Sequence, residues 1–209
     1  MNLPNLITSA RIVAAPLVTV LLLQPSAELR FGAFALFLIA ALSDLWDGHL
    51  ARTRDQITTF GKIVDPLADK LLLTATLVPL YWLMSSRSEL AGLPVFGIIP
   101  LWVVAVFLGR EVLITALRFF AANRGDVVAA RTLGKRKALA QNIFIGAAIL
   151  WTGFRSPDFA APNSAAWAWF GAFHGWFTTA FLTVALLLTV LSLGVYLRTF
   201  SRILAREQP

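Results

Sequence analysis

The sequence predicts an all-helical protein that crosses a membrane several times. Hydrophobic residues make up 58% of the chain and charged residues only 14%, whereas a soluble domain usually contains about half and about a quarter of these types. The apolar residues also fall in long runs, and a helix that spans a bilayer needs about 20 of them. The chain contains no cysteine, which excludes disulfides and zinc sites with thiolate ligands.

The apolar runs predict about six transmembrane helices within one domain that covers residues 1–209. Pro25, Pro94 and the segment Pro157–Pro162 lie between runs, where helix breaks are expected. The sequence has no internal repeat and no low-complexity tract. The runs lie near Ser9–Leu23, Phe31–Asp47, Val64–Met84, Val95–Phe120, Lys137–Thr152 and Phe177–Tyr196.

The first run begins with an amphipathic stretch, NLPNLITSARIV, at residues 2–13. We expect this N-terminal segment to lie in the membrane interface before the chain turns inward. The alternative is a signal peptide, because Arg11 precedes an apolar stretch and small residues follow in QPSA. We prefer a first transmembrane helix preceded by the interfacial segment.

The basic residues predict which ends of the helices face the cytoplasm. The first, third and fifth loops contain a single arginine each, and most other lysines and arginines lie in the second loop, the fourth loop and the C-terminal tail. Because short cytoplasmic loops carry an excess of positive charge, we expect both termini in the cytoplasm. The basic residues of these three segments are Arg52, Arg54, Lys62, Arg124, Arg131, Lys135, Arg136, Lys137, Arg198, Arg202 and Arg206.

An aromatic cluster is predicted in the fifth loop, at the opposite face of the membrane. Tryptophan and phenylalanine are common at the boundary between membrane and water, so we interpret the cluster as an interfacial belt. A ligand site made of aromatic side chains is the alternative. The cluster contains Trp167, Trp169, Phe173 and Trp176.

Four aspartates form two pairs at helical spacing where the apolar runs meet the second basic loop. Asp44 and Asp47 lie one turn apart on one predicted helix, and Asp65 and Asp69 lie one turn apart on the next. Small residues beside each pair allow a helix or a ligand to approach the backbone closely. These small residues are Gly48, Ala51 and Gly61.

The four carboxylates favour a metal site. At low dielectric they repel one another unless they are protonated or neutralised by a cation. Oxygen ligands without histidine or cysteine favour Mg²⁺, Mn²⁺ or Ca²⁺ over zinc. Two divalent ions would balance four negative charges, and such a pair commonly holds the attacking and leaving oxygens during displacement at phosphorus. The alternative is a set of ion pairs with Arg52, Arg54, Lys62 and Lys70.

The spacing of these residues resembles the signature of the CDP-alcohol phosphotransferase family. DLWDGHLAR at residues 44–52 and GKIVDPLAD at residues 61–69 fill all eight of its fixed positions. Three further stretches are similar to those of the phosphatidylglycerophosphate synthases that bacteria have within this family: LPNLITSARI, GREVLITALR and GKRKALAQ. Together these stretches cover most of the predicted cytoplasmic half.

The resemblance implies a six-helix membrane enzyme, typically a homodimer, surrounded by the lipids of the bacterial cytoplasmic membrane. Its active site would face the cytoplasm. The enzyme would transfer a phosphatidyl group from CDP-diacylglycerol to an alcohol and release CMP. No nucleic-acid partner is expected.

The resemblance also implies roles for the signature residues. Asp44, Asp47 and Asp65 would bind Mg²⁺ or Mn²⁺, with two ions in the site. Asp69 would contact metal and deprotonate the acceptor hydroxyl. Glycine lets the backbone approach a nucleotide, and the planar fork of arginine suits a diphosphate. The implied CDP-diacylglycerol pocket consists of Gly48, Ala51, Arg52 and Gly61.

A second basic set predicts the acceptor alcohol. Its residues lie on the fourth run and at the start of the fifth helix, and we assign them to the phosphate of sn-glycerol 3-phosphate, because a neutral acceptor needs no such concentration of cations. Topology alone also places basic residues in cytoplasmic loops. Inositol phosphate, serine, or phosphatidylglycerol as in a cardiolipin synthase stay open as alternative acceptors. The assigned residues are Arg110, Arg118, Lys135 and Lys137.

Three further residues are expected near the site. Thr8 and Arg11 lie in the N-terminal segment, and Glu111 interrupts an apolar run. Glu111 either orients an arginine or forms a plain structural ion pair. We interpret His49 and His174 as incidental to the chemistry.

Two functions other than enzymatic catalysis are alternatives. An ion transporter could use the carboxylates as a cation path, but they lie near one membrane surface, whereas transporter sites lie near the midplane. A catalytically inactive member of the family, retained as an assembly factor, is disfavoured by the complete signature.

Overall fold

The apolar runs form six long α-helices. The structure is a computed structural model that describes residues 3–53, 59–122 and 132–205, with side chains at 6–43, 64–121 and 132–201. Within these ranges it contains no β-strand, and the predicted all-α class is confirmed. The helices are α1 (Leu3–Leu23), α2 (Ala27–Thr53), α3 (Thr59–Ser86), α4 (Leu101–Ala122), α5 (Thr132–Phe154) and α6 (Ala165–Ala205), with a short 3₁₀ turn at Ser88–Leu90.

The helices pack into one bundle around an apolar core. α1 contacts α2 and α3, α5 contacts α2 and α6, and α4 contacts α3 and α6. The centre contains fully buried side chains from several helices, such as Phe37, Leu77 and Phe107. The rings of Phe107 and Phe144 lie 6.3 Å apart between α4 and α5. Close packing of these large side chains contributes to holding the helices together.

The outer surface of the bundle is also apolar. Trp82 is 54% exposed and Val112 is 67% exposed, and many leucines on α1 and α6 are exposed as well. Contiguous exposed apolar surface of this kind is rare on soluble monomers and is typical of a surface that meets lipid. The protein is therefore a membrane protein.

Within the described part of the chain, three helices are long and apolar enough to span a bilayer, in the segments Leu6–Leu23, Val64–Ser86 and Ala165–Ser201. α4 carries Arg110 and Glu111 at its middle, and α5 carries Lys135, Arg136 and Lys137 near its start, so that the uninterrupted apolar stretches of these two helices are shorter. Six spans with both termini in the cytoplasm stay a prediction.

The predicted N-terminal interfacial segment is not a separate element. α1 runs without interruption from Leu3 to Leu23, and Pro16 lies within it. Thr8 and Arg11 are buried where α1 meets α3. These two polar residues of the segment therefore take part in packing within the bundle.

The aromatic cluster lies in a helix, which corrects the predicted loop. α6 begins at Ala165, twelve residues before the predicted Phe177, because Ser164 caps the helix by accepting a hydrogen bond from the backbone N–H of Trp167. The ring of Trp167 packs at 5.6 Å against that of Phe154 on α5. Trp169 and Trp176 are exposed and suit an interfacial belt.

α4 begins at Leu101 and not near Val95 as predicted. The preceding segment folds into a tight turn in which the carbonyl of Gly97 accepts backbone hydrogen bonds from Gly92 and Leu93. Gly92 and Gly97 have φ angles of +97° and +69°, which glycine adopts without steric cost. α3 differs in the other direction, since it begins at Thr59 and contains Pro66 in its interior.

The contact between α2 and α5 predicts that Gly153→Ala destabilises the protein. A Cβ at Gly153 would lie 2.6 Å from a ring carbon of Phe31, so either this ring, which packs against Phe154 and Phe159, or the helices would have to shift. We expect a lower midpoint of thermal unfolding in detergent, measured by tryptophan fluorescence, although alanine favours a helix over glycine.

Gly32→Ala is the matched control, because a Cβ at Gly32 would meet no atom within 4 Å. This variant should keep or slightly raise the midpoint. An equal midpoint for both variants would contradict the tight contact between Gly153 and Phe31.

Candidate active site

Two aspartates of the signature are held by the N-terminal helix. Asp65 and Asp69 lie one turn apart on α3. The hydroxyl of Thr8 donates to Oδ1 of Asp65 at 2.6 Å, and Nη1 of Arg11 donates to Oδ1 of Asp69 at 2.8 Å. The side chain of Arg11 is only 1% exposed, whereas that of Asp69 is 52% exposed. A buried cation therefore orients a carboxylate that is open to the cavity at this end of the bundle.

The first half of the signature belongs to α2, which includes residues 44–53. The side chains implied to bind metal and nucleotide there lie outside the described residues, as does Gly61 on α3. The side chain of His49 lies outside them as well. These residues are Asp44, Asp47, Gly48, Ala51 and Arg52.

A second charged cluster joins three helices. Glu111 on α4 accepts through Oε1 from Nη1 of Arg110 at 2.9 Å and from Nζ of Lys137 on α5 at 2.5 Å. Nη2 of Arg110 donates to the hydroxyl of Ser192 on α6 at 3.2 Å. The side chain of Lys137 is 5% exposed and that of Arg110 is 10% exposed. Glu111 therefore orients both an arginine and a lysine.

The remaining members of the predicted basic set lie at the rim of this cluster. Arg118 is exposed on α4, two turns beyond Arg110. Its guanidinium lies 5.9 Å from the ring centroid of Tyr196 on α6, a distance at which a cation is attracted to an aromatic face. Lys135 is exposed near the start of α5.

Both charged clusters face one cavity of about 280 Å³. Among the described residues that line it, six are cationic and two are carboxylates. Such an excess of positive charge in a cavity with low-dielectric walls attracts anions. Its charged and amide lining residues are Arg11, Asp69, Lys70, Arg110, Glu111, Arg118, Lys135, Lys137, Gln141 and Asn142.

An apolar groove of about 840 Å³ adjoins the charged cavity. Side chains of α2, α5 and α6 line it, including Phe34, Leu38 and Ile143. Phe37 and Lys135 line both spaces. An amphiphilic molecule could therefore place a charged group in the cavity and a hydrocarbon chain in the groove.

Several residues of the site did not emerge from the sequence. Ser192 and Tyr196 lie one turn apart in the apolar α6, and this spacing of polar residues was a signal that could have identified them. Lys70, Gln141 and Asn142 also line the cavity. His174 does not line the charged cavity, since it lies on α6 against the backbone carbonyl of Ala147, at 3.0 Å.

Comparison with known proteins gives the family. A model of the CDP-alcohol phosphatidyltransferase family matches residues 1–205. A protein of Bacillus subtilis (strain 168) named CDP-diacylglycerol–glycerol-3-phosphate 3-phosphatidyltransferase is 37% identical over 190 residues, which cover 84% of this chain and 92% of the relative. A protein of the same name from Escherichia coli (strain K12) is 32% identical over 196 residues, which cover 91% and 93%.

A third relative of that name, from Cereibacter sphaeroides, is 32% identical over 169 residues, which cover 79% of this chain and 71% of the relative. The match of the family model thus extends over nearly the whole chain, and it includes the signature as well as the helices that hold the second charged cluster. The chain belongs to the CDP-alcohol phosphatidyltransferase family.

Proposed function

We propose that this protein transfers the phosphatidyl group of CDP-diacylglycerol to sn-glycerol 3-phosphate and releases CMP and phosphatidylglycerophosphate. One observation carries the proposal: the carboxylate of Asp69 and the basic set around Glu111 line the same cavity. The names of the relatives from Bacillus subtilis and Escherichia coli give the same two substrates.

The reaction displaces CMP from phosphorus. The free primary hydroxyl oxygen of the acceptor bonds to the phosphorus that carries the diacylglycerol, and the bond from this phosphorus to the oxygen that bridges to CMP breaks. The hydroxyl proton passes to the carboxylate of Asp69, and CMP leaves with the electron pair. Arg11 fixes the direction of this carboxylate through its bond to Oδ1, so that Asp69 is held toward the cavity.

The aspartates fit a hard divalent cation such as Mg²⁺ or Mn²⁺. Asp65 and Asp69 offer oxygen donors one turn apart on α3, and the described side chains contain no group of three or more acidic, histidine or cysteine residues elsewhere that suits a metal. With Asp44 and Asp47 they would hold the metal, and two ions would balance their charge. When bound, the metal would offset the negative charge of the diphosphate.

The basic set supports an acceptor that carries a phosphate. Arg110 is oriented by Glu111 and by Ser192, and Lys137 is oriented by Glu111. Guanidinium and ammonium groups held in this way form short, charge-assisted hydrogen bonds to a phosphate. Serine has no phosphate that these cations could bind. It therefore fits the cavity less well than glycerol 3-phosphate does.

The apolar groove supports a lipid as the second substrate. It opens beside the charged cavity between α2, α5 and α6, and its volume and apolar lining suit acyl chains. A diacylglycerol chain in the groove would leave its phosphate at the residues that both spaces share, such as Lys135 and Asn142.

The same end of the bundle contains all the described charged groups of the site. They lie in the first half of α1, α3 and α5, and on α4 they extend from its middle, at Arg110 and Glu111, into its second half, at Arg118, as expected if successive helices cross the membrane in opposite directions. This supports six spans in one domain, with both termini and the active site on the cytoplasmic side of a bacterial cytoplasmic membrane. The homodimer stays a prediction.

The direct test of the function measures CMP release from CDP-diacylglycerol by the purified protein in detergent. We expect release with sn-glycerol 3-phosphate and little with serine, inositol phosphate or phosphatidylglycerol. Faster release of CMP with one of these three compounds would show that this compound, and not sn-glycerol 3-phosphate, is the acceptor. Movement of cations into liposomes that contain the protein, with no release of CMP, would indicate that the protein is a transporter and not an enzyme.

We predict that Asp69→Asn lowers kcat for CMP release by at least about a hundredfold, because a positioned general base contributes about 10² to 10⁴ in rate. Binding of CMP in the presence of Mg²⁺, measured by calorimetry, should be partly retained.

Asp158→Asn is the matched control for Asp69→Asn. Asp158 accepts a hydrogen bond from the backbone N–H of Ala27 at the far end of the bundle. Asparagine caps a helix equally well, so the activity of the Asp158→Asn variant should equal that of the wild type. Full activity of Asp69→Asn would remove Asp69 from the chemistry.

Arg110→Ala should raise the KM for sn-glycerol 3-phosphate by about tenfold to a hundredfold, since it removes a charged hydrogen bond. The KM for CDP-diacylglycerol should change much less. Arg87→Ala, at the opposite end of the bundle, provides the control. An unchanged KM for the acceptor in Arg110→Ala would exclude the proposed phosphate contact.

A further inference from the structure

Gln141 is a buried amide that faces the charged cavity. It lies on α5 one turn after Lys137 and is only 2% exposed. It lines the cavity, and its Nε2 has no hydrogen-bond partner among the described residues. A buried amide without a partner is costly, so such a group usually meets a ligand or an ordered water.

Among the described lining residues Asp69, Glu111 and Asn142 carry side-chain acceptors, and none of them bonds to Nε2 of Gln141. The described lining residues from α2 are Phe37 and Ala41, and the next turn of α3 contributes Leu72 and Leu73. Nζ of the neighbouring Lys137 already donates to Glu111. Since none of the described residues supplies a partner for Nε2, a ligand in the cavity could supply one.

The position of Gln141 along α5 indicates which part of a ligand it meets. It lies four residues beyond Lys137, or about 6 Å farther from the charged start of the helix at a rise of 1.5 Å per residue. The phosphate of the acceptor belongs with the cations, and the reacting hydroxyl belongs with Asp69, which lines the same cavity. The central carbon of glycerol 3-phosphate lies between these two groups.

The chemistry of an amide matches the central hydroxyl. A hydroxyl both donates and accepts hydrogen bonds, and a glutamine amide offers N–H donors and a carbonyl acceptor. A phosphate needs donors only, and the cations already supply these. We propose that Gln141 binds the central hydroxyl of sn-glycerol 3-phosphate and thereby selects an acceptor that carries it. This inference rests on the proposed function.

The test compares sn-glycerol 3-phosphate with 3-hydroxypropyl phosphate, which lacks only the central hydroxyl. CMP release gives kcat/KM for each acceptor. The wild type should prefer glycerol 3-phosphate by about tenfold to a hundredfold, because the analogue leaves the buried amide without a partner. Gln141→Met, which has a similar volume and no amide, should lose most of this preference by losing activity with glycerol 3-phosphate alone.

Two further variants complete the test. Gln24→Met changes a glutamine at the other end of the bundle, where Nε2 donates to the carbonyl of Val20, and it should keep the preference of the wild type. If Gln141→Met does not fold, Gln141→Asn takes its place, since it keeps an amide but shortens its reach, and its preference should also fall.

The outcomes separate this inference from the proposed function. If the wild type uses both phosphate acceptors equally, or if the position 141 variants keep the wild-type preference, Gln141 does not bind the central hydroxyl and the proposed function still stands. If the wild type releases no CMP with either acceptor, the proposed function itself fails.

Discussion

The charged cavity depends on one carboxylate, that of Glu111. Arg110 and Lys137 carry like charges and are both largely buried, so without a counter-charge they would repel each other strongly at low dielectric. Glu111 offsets this repulsion and binds both cations through one oxygen. It also links α4 to α5, while Arg110 links α4 to α6 through Ser192. Removal of Glu111 would therefore leave two buried cations uncompensated and would loosen three helices together.

The two ends of the bundle use buried polar groups in different ways. At the far end Arg30 is fully buried and donates through Nη1 to the carbonyl of Thr152 and to the hydroxyl of Ser156, which ties α2 to α5. Asp158 accepts from the first N–H of α2. These groups bind other parts of the protein and serve its stability. At the opposite end, Asp69 and Gln141 line a cavity. Polar groups that a ligand can reach therefore distinguish this end of the bundle from the far end.

The sequence predicted an all-helical membrane protein and its family, and both are confirmed, whereas the six membrane spans stay a prediction. It did not predict where α4 and α6 begin, because a turn at Gly97 and a cap at Ser164 decide those ends locally. Helical spacing showed that Asp65 and Asp69 share a face, since both lie on one helix. It could not pair Asp69 with Arg11 or Glu111 with Lys137, because these contacts join helices far apart in the chain. Such pairs depend on how whole helices pack.

On the proposed function, the two cavities join a soluble anion to a lipid. The acceptor would arrive from water at the cations of the charged cavity, and the lipid would stay in the bilayer with its chains in the groove between helix faces. Displacement at phosphorus then requires the two spaces to meet. They meet at Phe37, Ala41 and Lys135, within reach of the same wall of α5 that holds Lys137 and Gln141. α5 would therefore hold the acceptor on one of its faces and the lipid on the neighbouring face.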